Sequence, residues 1–193
     1  IAAVADRLAR HNLAITQAPL AHATTNARLA VHLSYAGLRT KALTAGQAAV
    51  EAWRSIIRSD PSHVPDLALS LYNLSTLLSE VGQQEKALSA AEEAVEIRRR
   101  LAEQDPAAYE LKLAESLAAL GARLSLSGGR QGEGLAATEE AMAIYRRWLA
   151  DISKAREVKE EPAVRDPEES FVTERLDASL AAVLSNYATQ LSG

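Results

Sequence analysis

The stretch KALSAAEEAVEIRRRLA (residues 86–102) decides the fold, because related sequences occur before and after it in the same chain. One copy is EGLAATEEAMAIYRRWLA (residues 133–150), and a looser copy is KALTAGQAAVEAWRSII (residues 41–57). A unit that recurs at a nearly fixed period cannot bury its apolar face alone and must stack on its neighbours. The repetition therefore predicts a solenoid, a fold class that mostly serves binding.

Three glycines mark the turns of the repeated unit. Gly37 and Gly82 are 45 residues apart, and Gly82 and Gly129 are 47 residues apart. A second apolar segment precedes each glycine, and its apolar residues follow steps of three and four, the spacing of one helical face. In the middle unit these residues are Leu67, Leu71, Leu74, Leu78 and Val81. Each unit is thus predicted to be two helices, here called helix A and helix B, joined by a glycine turn.

Small residues recur at equivalent positions of both helices, where a small side chain lets two helix axes approach. One position in helix A holds Ala30, Ser75, Gly121 and Ala188. Three positions in helix B hold Ala42, Ala87 and Gly134, then Gly46, Ala91 and Thr138, then Ala49, Ala94 and Ala141. These columns of small residues predict close packing between the helices of each unit and its neighbours.

The same columns resemble the tetratricopeptide repeat, in which a large apolar residue and a small one adjoin in helix A. The pairs here are Leu29-Ala30, Leu74-Ser75 and Leu120-Gly121. The usual period is about 34 residues, and the longer period here resembles the extended repeats of kinesin light chains and of bacterial regulatory proteins. The resemblance implies an all-α, right-handed superhelical solenoid of antiparallel helix hairpins.

The register divides the chain into repeats. We expect a partial repeat at 1–19, full repeats at 20–64, 65–106 and 107–150, a charged insertion at 151–175, and a partial repeat at 176–193. Asp60-Pro61 and Asp105-Pro106 should separate the repeats, since proline disfavours helix in the residue before it. The partial repeats should leave a helix break between residues 12 and 21 and a last helix A that begins at Leu176.

Composition excludes several classes of function. The chain has no cysteine, which removes disulfides and thiolate chemistry and fits a cytoplasmic protein. Its net charge of −4 predicts no nucleic-acid surface, and no apolar run reaches the length of a membrane span. The four histidines lack metal-ligand spacing, and SGGRQGEG (residues 127–134) lacks the lysine and the preceding strand of a phosphate loop. We expect no catalysis, cofactor or metal.

The resemblance implies that helix A lines a concave groove. The groove residues it selects are Arg28, Tyr35, Leu69, Tyr72, Asn73, Thr76, Glu80, Glu115 and Asn186. The same register adds Thr24, Ala27, Val31, Ser34, Ser79, Ala118, Ala119, Ala122, Ser125, Leu126, Ala182, Ser185 and Thr189. Asn73 and Asn186 are the sharpest candidates, because an amide offers two donors and an acceptor to a peptide. The alternative is that these amides bond within the protein. Only Arg28 and Asn73 resemble a carboxylate clamp, which argues against a C-terminal carboxylate as the ligand.

Three hypotheses about function follow. The first is a scaffold that binds a protein partner as a peptide or helix in the groove. The second is a regulatory, sensor or self-association segment of a larger signalling protein, which could form homo-oligomers through exposed terminal helices. The third is a sensor of small molecules or peptide signals. The arginines at 98–100 and 146–147 are interpreted as a solvated face.

Overall fold

The computed structural model describes residues 2–158 and 167–191, with side chains described for residues 18–154, 175–185 and 187–188. This part of the chain contains seven α-helices and no strand, which confirms the all-α prediction. The helices are α1 (Ala2–Tyr35), α2 (Arg39–Ile56), α3 (Val64–Glu80), α4 (Gln84–Gln104), α5 (Pro106–Leu126), α6 (Gln131–Val158) and α7 (Pro167–Leu191). Two compact units are present, Ile1–Ile97 and Arg98–Gly193, and α4 contributes residues to both.

In the first unit α2 packs between α1 and α3. A side chain built on Gly46 of α2 would lie 3.0 Å from Leu77 Cδ1 of α3 and 3.8 Å from Ala30 Cβ of α1. Near the connection between α2 and α3, the Trp53 and His63 rings stack with their centroids 5.3 Å apart. Residues that lie further from a connection on one helix therefore contact residues further from it on the other helix. This pattern makes α2 antiparallel to α1 and to α3. It follows that α1 and α3 run in the same direction.

In the second unit α5 and α6 form a hairpin around the turn at Gly129. Close to this turn, a side chain built on Gly121 would lie only 2.3 Å from Thr138 Oγ1. Far from it, the Trp148 indole N–H donates a hydrogen bond to the Glu110 carboxylate at 3.2 Å. The sequence separation of the paired residues grows with distance from the turn, as an antiparallel hairpin requires. Helix α7 packs mainly against α6.

The columns of small residues lie at the helix contacts, as predicted. The buried members are Ala30, Ser75, Gly121, Ala42, Ala87, Gly134, Gly46, Ala91, Thr138, Ala49, Ala94 and Ala141. Ala188 of α7 is the exception, because its side chain is exposed and the prediction for it is wrong. In the described part of the chain, no helix follows α7 in the place that α2 occupies after α1.

The turn glycines adopt the left-handed backbone conformation that glycine tolerates best. Their φ angles are 73° at Gly37, 78° at Gly82 and 88° at Gly129. At the middle turn, the Gly82 N–H donates to the Ser79 carbonyl at 3.0 Å, and the next N–H donates to the Leu78 carbonyl at 2.9 Å. This pair of bonds is a Schellman motif, which satisfies carbonyls at the end of a helix and fixes where α3 stops.

Both Asp-Pro pairs separate successive helices, as predicted. The Asp105 carboxylate accepts a hydrogen bond from the Ala108 N–H at 3.1 Å and caps α5, with Pro106 in the first turn. The Asp60 carboxylate accepts from the Ser62 N–H at 3.1 Å and caps a short 3-10 turn, Pro61–His63, before α3. Proline suits these positions because its missing N–H is one that the first turn leaves unpaired.

Two predicted helix boundaries are wrong. The expected break between residues 12 and 21 is absent, because α1 continues through Pro19. Proline removes one backbone hydrogen bond, but no glycine follows it to reverse the chain. The last helix begins at Pro167, nine residues before the expected start at Leu176, since proline is well suited to the first turn of a helix. The division into repeats, including the insertion at 151–175, remains a prediction, and residues 159–166 lie outside the described part.

The interpretation of the arginine cluster as a solvated face is wrong for Arg98, which is 2% exposed. Its guanidinium donates to Ser116 Oγ at 2.9 Å and to the Lys112 carbonyl. The Glu115 carboxylate lies 3.7 Å away and offsets the charge. Arg99, the next residue, is exposed as expected.

Candidate functional site

A cleft of about 290 Å³ opens between α1 and α3 in the first unit. Its lining residues are Ala30, Val31, Ser34, Tyr35, Tyr72, Asn73, Thr76, Leu77 and Glu80. Five of the nine predicted groove residues are among them, and Val31 and Ser34 also belong to the predicted register. The cleft is bounded by α1 and α3, the helices that hold the predicted helix A of two successive repeats, which is where the sequence register placed a groove.

Helical spacing explains why α3 presents its polar residues together. Tyr72, Thr76 and Glu80 are separated by steps of four, and Asn73 adjoins them, so all four share one helical face. Leu69 lies one turn earlier on this face and is 50% exposed, but it does not line the cleft. The opposite face of α3 carries the buried leucines, which hold the helix against α2.

Helix α1 supplies the other wall. Val31 and Tyr35 are one turn apart, and Tyr35 is 87% exposed at the end of the helix. Arg28 precedes Val31 by one turn and is exposed, but the structure does not bring it into the cleft. The pair of Arg28 and Asn73 that suggested a carboxylate clamp is therefore not assembled in this cleft.

The polar side chains that line the cleft include Asn73 and Glu80, and neither has a polar partner among the described residues. The Asn73 amide makes no hydrogen bond there, whereas the Asn26 amide on α1 donates to the His22 carbonyl at 2.9 Å. The Glu80 carboxylate makes no ion pair or hydrogen bond with described residues. The half-buried Asn73 amide and the exposed Glu80 carboxylate are therefore both available to a ligand.

The remaining predicted residues lie elsewhere. In the second unit, the Glu115 carboxylate lies 3.7 Å from the Arg98 guanidinium and 3.9 Å from that of Arg175, an arrangement that stabilises the fold. Asn186 belongs to α7, and its side chain lies outside the described residues.

Sequence reasoning missed two lining residues, Ala30 and Leu77. They are 2% and 4% exposed and follow the core pattern of their helices. They reach the cleft because its floor is the edge of the core. In the sequence, a cleft-floor residue of this kind can be recognised only by its place at the edge of the apolar face of its helix.

A second cleft of about 260 Å³ lies between α2 and α4 in the same unit. Its floor is formed by buried leucines of α3, including Leu71 and Leu78. Across it the Arg54 guanidinium donates to the Glu93 carboxylate at 2.6 Å, so these two charged groups are paired with each other. This surface is less suited to recognition than the cleft between α1 and α3.

His63 has a structural role near the connection between α2 and α3. The His63 imidazole lies 2.9 Å from the Asp66 carboxylate and stacks on Trp53, which is buried. No group of three side chains of the metal-ligating types is assembled within residues whose side chains are described. Among the described helices, none has a segment apolar and long enough to cross a membrane.

Residues 21–100 match the sequence model of a family described as tetratricopeptide repeat. The matched stretch contains every residue that lines the cleft between α1 and α3. The match supports the predicted resemblance to this family, and the more specific likeness to kinesin light chains stays a prediction. No curated protein matches the chain.

Proposed function

We propose that the first unit binds a protein partner as a peptide in the cleft between α1 and α3. Tetratricopeptide repeats are in general protein-interaction modules, and residues 21–100 match that family. The observation that carries the proposal is the half-buried Asn73 amide, which has no hydrogen-bond partner among the described residues and lines a cleft of about 290 Å³. A peptide backbone would satisfy both its donor and its acceptor groups.

The cleft suits an extended peptide better than a small molecule. It is open, its walls are two parallel helices, and its lining combines apolar and polar groups. Small-molecule sites are typically enclosed and mostly apolar. Because the cleft holds no basic side chain, recognition of a C-terminal carboxylate is not favoured. No catalytic step is proposed, and the cytoplasm remains the expected location.

The test uses a displayed library of random peptides selected against residues 1–193, followed by affinity measurement on the enriched peptides. Asn73→Ala should weaken binding about two- to tenfold, the effect of one hydrogen bond. Asn26→Ala is the matched control, because Asn26 is an asparagine of α1 bonded to its own helix and outside the cleft. Equal affinities for the wild type and Asn73→Ala would contradict the proposal.

Self-association is a second candidate, favoured by α7. Leu184 is 39% exposed, and Ala188 is exposed one turn later, so α7 presents a small apolar stripe in the second unit. A second copy of the chain could cover this stripe. Sedimentation at increasing concentration should then show a dimer that Leu184→Lys disrupts, and a monomer throughout would contradict it.

A further inference from the structure

One end of the cleft between α1 and α3 has a distinct chemistry. Because the two helices run in the same direction, their last residues, Tyr35 and Glu80, lie at the same end of the cleft. We call these two residues, with the helix ends that carry them, the C-terminal rim.

The C-terminal rim carries one negative charge, that of the Glu80 carboxylate. Glu80 is the only charged residue among those that line the cleft, and its carboxylate has no ion-pair partner among the described residues. The arginines of neighbouring segments, Arg28 and Arg39, do not line the cleft.

Aromatic and aliphatic groups beside Glu80 complete a site for a long cationic side chain. Tyr35 is 87% exposed, so the faces of its ring are open to a cation, which aromatic rings attract. Val31 adds apolar surface to one wall, and Leu77 adds apolar surface to the floor. Lysine and arginine pack their methylene stems on apolar surface while the charged head reaches a polar group.

We propose that this cleft selects peptides that carry a lysine or arginine, whose cationic group binds at the C-terminal rim against Glu80 and Tyr35. The inference rests on the proposed peptide-binding function and adds the chemistry of the partner. An acidic peptide would place like charges together at Glu80 and would be disfavoured.

The same displayed library provides the first test. Enriched peptides should contain lysine or arginine more often than aspartate or glutamate at one position. One enriched peptide is then synthesised in three forms, with lysine, glutamine or glutamate at that position, and each is measured against the wild type and variants of Glu80.

Glu80→Gln should weaken binding of the lysine peptide about two- to fivefold, as expected for a partly exposed ion pair. Binding of the glutamine peptide should change little, and Glu80→Lys should reverse the order of the lysine and glutamate peptides. The effect should shrink at high salt, since salt screens exposed charges. Glu85→Gln is the matched control, because Glu85 is exposed and lies outside the cleft.

The results separate this inference from the proposed function. Suppose that binding requires Asn73, but the wild type and Glu80→Lys show the same preference between the lysine and glutamate peptides. That result would overturn the basic selectivity and leave the proposed peptide binding intact. A selection that yields no peptide dependent on Asn73 would overturn both.

Discussion

Gly121→Ala should destabilise the second unit, although alanine is the better helix former. The added Cβ would lie 2.3 Å from Thr138 Oγ1 and 2.9 Å from the Gly134 carbonyl oxygen, and ordinary contacts are 3.4 Å or longer. Thr138 cannot easily move, because it is fully buried and its hydroxyl donates to the Gly134 carbonyl at 2.8 Å. The second contact is with backbone, so α5 and α6 must separate.

The size of the effect follows from two opposing terms. Replacing glycine by alanine inside a helix stabilises it by about 1 kcal/mol. Inserting a methyl group into a well-packed contact costs about 1–3 kcal/mol, and the upper part of that range applies where the nearest atoms include a backbone oxygen. We therefore expect Gly121→Ala to lower the free energy of unfolding by about 1–2 kcal/mol.

The assay is urea unfolding followed by tryptophan fluorescence. Trp148 bridges α5 and α6 through its hydrogen bond to Glu110 and reports on the second unit, whereas Trp53 is buried in the first unit. Measurements in a Trp53→Phe background therefore isolate the second unit. This matters because repeat proteins need not unfold in one step.

A matched control and a partial rescue sharpen the test. Gly132→Ala adds a methyl group near the start of α6 where no atom lies within 4 Å, so its stability should stay equal or rise. Adding Thr138→Ala to Gly121→Ala should recover part of the loss, because it removes the nearest contact but not the backbone one. If Gly121→Ala proves as stable as the wild type, the close packing of α5 on α6 is refuted.

Three further predictions concern single interactions. Gly82→Ala should lower the free energy of unfolding by about 1–2 kcal/mol in urea titrations, because its φ of 78° strains any L-residue; an unchanged value would contradict the left-handed turn. Arg98→Ala should cost about 1–3 kcal/mol by the same method, since it leaves the buried Ser116 hydroxyl and the Lys112 carbonyl without their donor. Arg99→Ala, at an exposed ion pair, should cost at most about 1 kcal/mol, and a larger loss for Arg99→Ala than for Arg98→Ala would contradict the difference in burial. The hydrogen bonds from Ser62 hold the pKa of Asp60 below its ordinary value of 3.8, so its contribution to stability is present above that pH and is lost as pH falls through the lowered pKa; an NMR titration of Ser62→Ala should show the pKa move upward, and no movement would refute this cause.

Much of the fold was predictable because the same steric requirement recurs in every unit. A small residue facing a neighbouring helix, such as Ala42 or Ala87, repeats at one register position, and both are fully buried. Turn glycines with positive φ repeat for the same reason. The continuous helix through Pro19 was not predictable in this way, because it occurs once and no repeat constrains it.

The burial of Arg98 was missed although the register contains the signal. Steps of 45 and 47 residues align Arg98 with Trp53 and Tyr145, which are 3% and 2% exposed. A column whose other members are large and buried predicts burial for the third member whatever its charge. The charge then requires partners, and Ser116 and Glu115 on α5 supply them.

The candidate site was predicted only as far as the register reaches. The register selected the face of α3 that holds Tyr72, Asn73 and Glu80, because the 3.6-residue period fixes which residues share a face. It could not show that Arg28 stays outside the cleft. That depends on how closely α1 approaches α3 along its length, which is a tertiary property.

The turns and the C-terminal rim share one physical cause. Gly37 and Gly82 each lie two residues after the last residue of a helix. The helices therefore end at Tyr35 (α1) and Glu80 (α3), which are 45 residues apart, like the two glycines. The repeat therefore places the last residues of these two helices at one rim, whatever amino acids stand there. Tyr35 and Glu80 are both exposed, so their identities are not constrained by the packing that the small residues determine. Because packing and rim chemistry depend on different positions, partner selectivity at this rim can change without loss of the fold.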